Sequence, residues 1–321
     1  MRGEKIERVE RGEDYFTLRQ IKRLSGIYRV PLAAFFSDSV PHIPSLPDYR
    51  VNREKRIPPT VNLAIRWARY LSGMVHEVSG ESTTLPDVPK DLMPGELAEA
   101  VRRYLSPEPP KGAPSRILDY YKRLVEGGFN IIVIEYPLRA DDVRGFNIRG
   151  DLSVIVLNES DEAPVKLFSL FHEIGHLLRG ESGICSITME EQADIENYCN
   201  RFAAEFLLPE DAIREYAVRY GTDYEALRKI QRRFGVSMHA IMIRLLNLGL
   251  ISQKKYEEFR GEFKEEVRRA HRRNWEATYK NRAGYLALEE VSRAYRRGDI
   301  SFYESMRILN LKAKYAEKLI G

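Results

Sequence analysis

Apolar positions recur at helical spacing through most of this chain and at strand-like spacing in one region. After Thr17, a side chain suited to an N-cap, Leu18, Ile21, Leu24 and then Ile27 or Tyr28 recur every three or four residues. Pro31 opens a second short apolar run, Leu32 to Phe36, so residues 1 to about 40 read as short helices. Pro41, Pro44, Pro47 and the pair Pro58-Pro59 predict an extended connector. A helix is predicted over Val61–Val75 with Leu63, Trp67, Tyr70 and Leu71 on one face. Two more are predicted at Leu97–Leu105 and Arg116–Glu126, the second stopped by Gly127-Gly128. Between them SPEPPKGAPS, Ser106 to Ser115, has the composition of a linker. Strands are predicted at Asn130–Tyr136 and Leu152–Leu157, with a turn near Asp141-Asp142. The pattern is then almost wholly helical to the last residue.

Composition narrows the class. With 321 residues and 43% hydrophobic side chains, the chain can bury two or three cores and is not a disordered or fibrous protein. No apolar run approaches the roughly 18–20 residues of a membrane span. The first residues, MRGEKIERVERGED, are too charged for a secretory signal, and two cysteines give no disulfide framework. These features predict a cytoplasmic protein without membrane partners. Net charge is +4, but from Ile251 onward 17 basic residues face 11 acidic ones. A surplus of that size is compatible with nucleic-acid contact and equally with a solvated helical face.

The chemistry concentrates in Pro164 to Pro209. Pro164 suits the first turn of a helix on which Leu167, Phe171, Ile174 and Leu178 form one apolar face. His172 and His176 lie one turn apart on the side away from that stripe. Such a pair can bring two imidazoles to one point, as a tetrahedral zinc requires at about 2.0–2.1 Å per nitrogen. Glu173 lies between them, placed to act as general base on a water at the metal. Gly175 and Gly180 suit a helix that another element approaches closely and that then stops. The competing reading is an exposed amphipathic helix with two surface histidines.

A second helix follows. Thr188-x-x-Glu191 forms a capping box, and Met189 to Leu208 reads as one helix closed by Pro209. Three protein ligands and an open position make a catalytic zinc site, and a carboxylate from a following helix is a common third ligand. Glu196 is the favoured candidate, with Glu190, Glu191, Asp194 and Glu205 as rivals on the same helix. Asn200, one turn after Glu196, could fix a ligand histidine by a hydrogen bond. Strand Leu152–Leu157 could bind an extended peptide if it were an edge strand, or be an ordinary sheet strand. Cys199 reads as apolar packing rather than a ligand partnered with Cys185. His239, in a helix predicted over Ser237–Asn247, is a candidate oxyanion donor set against a structural role, and Tyr198 points to a different face from Glu196.

LFSLFHEIGHLL (Leu167–Leu178) followed by IENYCNRFAAEFLLP (Ile195–Pro209) resembles the paired motifs of the ImmA/IrrE family of zinc metallopeptidases. The resemblance places the third metal ligand at Glu196 and the family's Asn/Asp position at Asn200, with Phe202, Ala203 and Ala204 in its core. It extends through GFNIRGDLSVIVLN (Gly145–Asn158), FGVSMHAIMIRLLNLGLIS (Phe234–Ser252) and the final YRRGDISFYESMRILNLKAKYAEKL. Residues Glu7–Phe36 resemble the end of a Cro/CI-type helix-turn-helix domain found in long members, with LPDYR (Leu46–Arg50) as its connector. The two helices that should come before are absent, and a helix-turn-helix needs its first helix to seat the second in the major groove. Either the start lies upstream, or the segment is a remnant used for packing or partner binding.

The expected fold is therefore α+β, mainly α, with a zincin-like core and a small sheet flanked by helical segments. The expected division is a helix-turn-helix remnant and connector over 1–50, a helical linker region over 51–114, the core over 115–255 and a basic helical region over 256–321. One Zn2+ per chain is expected on His172, His176 and Glu196, with Glu173 catalytic and Asn200 hydrogen-bonded behind a ligand histidine. The resemblance implies an endopeptidase acting on a protein regulator, a transcriptional repressor, in stress response or mobile-element control. The alternative is a non-proteolytic regulator that binds DNA or a partner and carries a structural or vestigial metal site.

Overall fold

The computed structural model describes residues 3–28, 36, 58–89, 91–140, 143–180, 183–186, 193–262 and 275–320. The chain divides into two compact units, residues 1–46 and 47–321. In the first, α1 (Gly3–Glu10) and α2 (Leu18–Tyr28) are the described helices. Thr17 caps α2 as its sequence predicts: its Oγ1 accepts from Gln20 N at 3.3 Å, and Gln20 Oε1 accepts from Thr17 N at 2.9 Å. The proline-rich connector, including LPDYR, lies outside the described residues apart from Pro58-Pro59 at its end.

The second unit begins with helices α3 (Pro59–Ser79), α4 (Pro94–Leu105) and α5 (Pro114–Phe129). Strands β1 (Ile132–Tyr136), β2 (Val143–Ile148) and β3 (Val154–Asn158) follow, then α6 (Ala163–Leu178), β4 (Gly183–Ser186) and α7 (Ala193–Leu207). After these come α8 (Glu210–Tyr220), α9 (Tyr224–Phe234), α10 (Met238–Asn247), α11 (Gln253–Glu262), α12 (Trp275–Ala283), α13 (Tyr285–Arg297), α14 (Phe302–Ile308) and α15 (Ala313–Ile320). The mainly helical α+β architecture is the one expected. No helix among the described residues is long and apolar enough to cross a membrane.

The sheet runs β1-β3-β2-β4, with β1 parallel to β3 and the other pairs antiparallel. β3 therefore lies inside the sheet, hydrogen-bonded on both sides, and cannot receive a peptide by strand addition; edge positions belong to β1 and β4. All five residues of β3 are buried, as expected for a strand covered on both faces, and its run VIVLN is correspondingly apolar. α6 packs on one face and α3 on the other, while α12 and α13 pack against β1. Two of the four strands were not legible from apolar alternation. In β2, VRGFNI, the positions facing α6 include Gly145 and Asn147, which contribute a close approach and a hydrogen bond instead of apolar area.

Two local expectations are corrected. α3 buries Val61, Ala64, Ile65, Trp67, Ala68, Leu71 and Val75, and leaves Tyr70 37% exposed, because alanines make the stripe that meets the sheet. α5 runs through Gly127-Gly128 and ends at Asn130, whose φ of 50° makes it the left-handed cap. Gly128 serves approach: a Cβ there would lie 2.5 Å from Leu105 of α4. The linker-like stretch 106–113 joins α4 and α5, and both pack into one hydrophobic core with α6, α7, α9 and α10.

Buried charge ties the layers together. Glu135 of β1 lies between Lys166 of α6, at 2.5 Å, and Lys122 of α5, at 3.4 Å, and each of the three is less than 5% exposed. Lys122 also donates to Asn281 of α12 at 2.9 Å. Buried lysines require such partners, since an isolated ammonium in an apolar interior is strongly disfavoured.

Candidate metal centre

α6 is buried almost all round, which an amphipathic stripe alone does not predict. Leu167, Leu170, Phe171, Ile174 and Leu177 are at most 1% exposed, while His172 and His176 are 6% and 8% exposed. The reading of two surface histidines is thereby excluded. α7 packs on a face of α6 that takes in Phe171 of the stripe together with Gly175 and the histidines beside it. Phe171 stacks on Phe206 of α7 with centroids 4.0 Å apart and meets Tyr121 of α5 edge-on at 5.2 Å. Gly175 permits the closest approach: a Cβ there would be 3.1 Å from Phe202 and 3.2 Å from the Cys199 sulfur. Gly180, at φ 83°, follows the helix end.

This packing brings Glu196 to the two histidines. His172 Nε2 and His176 Nε2 are 3.1 Å apart, Glu196 Oε2 is 3.2 Å from the first and Oε1 is 3.5 Å from the second. Ligands about 2.0–2.1 Å from a tetrahedral ion lie roughly 3.3 Å from one another, so the three donors already have the spacing of a zinc shell. Two nitrogens and one carboxylate suit zinc with an open fourth position, and among the described residues these three form the group that could hold a metal ion. Asn200 Oδ1 lies 2.9 Å from His172 Nδ1. Accepting a hydrogen bond from Nδ1–H there fixes the tautomer that leaves Nε2 as a lone-pair donor.

The rivals of Glu196 are disposed otherwise. Asp194 is exposed, and Glu205 is held by Arg244, whose Nη1 donates to its Oε1 at 2.6 Å while Nη2 donates to Oε2. Glu190, Glu191 and Thr188 lie outside the described residues, so the predicted capping box does too. Cys199 is buried against Gly175 and beside His176; burial pushes its thiol pKa up, opposed by a hydrogen bond to that histidine. Tyr198 donates to Leu92 O at 2.6 Å and stacks under Arg179, away from the cluster. His239 is exposed with its ring 6.4 Å from Tyr256, and Ser237 caps its helix.

Glu173 is 1% exposed. Loss of hydration raises its carboxyl pKa, and His176, His172 and a hydrogen bond from Asn147 oppose the rise. Asn147 Nδ2 donates to Glu173 Oε2 at 2.8 Å. The sequence alone assigns Asn147 no role; its signal is a polar residue between Phe146 and Ile148.

The described fold is mainly helical with a small sheet, and its His–His–Glu cluster lies on two packed helices. Residues 127–246 match the family model of the IrrE N-terminal-like domain, peptidase M78. The chain is also similar to the radiation response metalloprotease IrrE of Deinococcus radiodurans, 34% identical over 101 residues. That match covers 29% of this chain and 30% of the relative's length.

Proposed function

We propose that this chain is a zinc-dependent endopeptidase that hydrolyses a peptide bond in a protein regulator, most simply a transcriptional repressor. The observation that carries the reading is the convergence of His172, His176 and Glu196 with a buried carboxylate, Glu173, beside them. A purely structural metal site needs the three donors and has no use for Glu173, which favours hydrolysis over the non-proteolytic regulator. The regulator substrate, and a role in stress response or mobile-element control, rest on the family resemblance.

Zinc, when bound, supplies the Lewis acidity that makes water nucleophilic near neutral pH. His172, His176 and Glu196 hold it, and Asn200 orients His172. Glu173 takes the proton from the attacking water and delivers it to the leaving amine, a carboxylate role that its burial between two ligands suits. An extended substrate adds to the sheet at edge strand β4. DNA contact by residues 7–36 is an accessory proposal and not needed for the chemistry.

Elemental analysis of wild type beside His176→Ala tests the site: about one zinc in the first and none in the second is expected. Glu173→Gln should keep the metal, and comparison of new protein N-termini in cells producing wild type or Glu173→Gln would reveal the substrate. Identical termini in both would overturn the peptidase reading and favour the regulator.

A further inference from the structure

The amide of Asn147 is 2% exposed, and only one of its two polar ends is engaged. Nδ2 donates to Glu173 Oε2, while Oδ1 is buried and accepts no hydrogen bond from any described residue. A buried carbonyl without a donor is disfavoured, so the residue is ill suited to a purely structural position. A leucine of similar shape would fit the apolar surroundings better. What the asparagine adds is its one bond to Glu173.

The strand is shaped around that bond. Gly145, two residues before and hence on the same face of β2, would place a Cβ 3.8 Å from Glu173 Cγ and 2.9 Å from Val156 O. The close approach at Gly145 is to Val156 O of β3, while Glu173 Cγ lies at ordinary contact distance above the same face, where Asn147 meets its carboxylate. A Gly-x-Asn sequence on β2 holds the acid of the adjacent helix from below.

We propose that Asn147 is the positioning residue of Glu173: by donating to Oε2 it fixes the plane and direction of the carboxylate beside the His172, His176 and Glu196 cluster. The side chain needs no contact with substrate or metal. This inference rests on the metallopeptidase reading and deepens it.

The test uses the full chain loaded with Co2+, comparing wild type with Asn147→Leu and Asn147→Ala, and with Ile148→Val as a core control on the other face of β2. All four should bind about one cobalt, since the three ligands are untouched. The visible cobalt band should change in both Asn147 variants and stay as wild type in Ile148→Val. With zinc and the substrate identified above, kcat should fall about 10–100-fold in the Asn147 variants, with KM unchanged. Asn147→Leu should melt no lower than wild type. A wild-type cobalt band and wild-type kcat in Asn147→Leu would overturn the proposal, and so would a loss of activity matched by loss of metal or of fold. If wild type takes up no cobalt, the metal reading falls and this inference with it. If the band changes as expected but wild type cleaves nothing, the peptidase reading alone fails.

Discussion

Glu126, near the C-terminal end of α5, accepts from the backbone of Tyr285 at the start of α13, with Oε1 and Oε2 3.1 and 3.2 Å from Tyr285 N. The same carboxylate accepts from Val133 N of β1 at 3.0 Å and from Leu286 N at 3.4 Å. One side chain thus caps a helix from the C-terminal region and anchors it to the first strand. α13 has no side-chain cap of its own, since Gly284 occupies that position. An acid at a helix N-terminus also interacts favourably with the aligned peptide dipoles.

Burial raises the Glu126 pKa from 4.5 to about 7, opposed by its hydrogen bonds and by Lys122. The folded state therefore holds this proton more tightly than the unfolded chain does. Between pH 4.5 and about 7 the unfolded chain releases it first, so this group's contribution to stability falls as pH rises through that window and levels off above it. The size is up to about 3 kcal/mol, at 1.36 kcal/mol per pKa unit. Urea unfolding of wild type and Glu126→Gln at pH 5 and pH 8 checks this. The stability difference between the two pH values should shrink in Glu126→Gln; an unchanged difference would show that Glu126 does not titrate in that window.

Gly175 sets the separation of α6 and α7. In Gly175→Ala the new methyl meets Phe202 and Cys199, both fully buried, at 3.1–3.3 Å. The expected cost is about 1–3 kcal/mol of stability. Because the displaced helix carries both histidines and its partner carries Glu196, zinc affinity should fall as well. Thermal melts of zinc-loaded and chelated protein measure the two effects separately. An alanine variant with wild-type zinc affinity would show that the ligands do not depend on this contact.

Asn200 hydrogen-bonds His172, so its expected effect on metal affinity runs through that ring. Replacing Asn200 with alanine removes the acceptor at Nδ1, and the ring can then turn or adopt the tautomer with its proton on Nε2. Zinc affinity should fall about 10–100-fold, whereas Asn200→Asp, which keeps an acceptor, should lose much less. Competition with a chromogenic chelator gives both constants. Equal losses in the two variants would contradict a hydrogen-bond role.

What could be read from the sequence follows from the period of the signal. His172, Glu173 and His176 declare themselves by helical spacing, because the positions that make the chemistry lie within two turns. Glu196 does not, since its helix offers several acids and only packing selects among them: Gly175 against Cys199 fixes which turn of α7 faces the histidines. β2 was hidden because Gly145 and Asn147 replace apolar residues where the strand meets Glu173. Gly127-Gly128 read as a stop because glycine favours left-handed caps, but close packing against Leu105 used its small size instead. Glu126, Glu135 and Arg244 were illegible for a shared reason. A charged residue in a helix or strand looks solvated until its partner, distant in sequence, is known.

Arg244 of α10 illustrates the energetic weight of such pairs. It is 5% exposed, holds both carboxylate oxygens of Glu205, and donates from Nε to Leu208 O at 3.0 Å, just past the end of α7. Arg102 of α4 donates to Glu205 O at 2.5 Å, so two helices converge on the same helix end. Arg244→Met would leave Glu205 without its partner and Leu208 without its donor, at an expected cost of about 3 kcal/mol. Removing both charges in Arg244→Met/Glu205→Leu should recover much of that loss, because an apolar pair of similar volume avoids the desolvation of two ions. Glu196 lies at the opposite end of α7, so zinc stoichiometry in the folded variants should stay at about one per chain. Denaturant titrations of the two single variants and the double variant check the coupling. Additive losses would show that Arg244 stabilises α7 through packing and the Leu208 carbonyl alone.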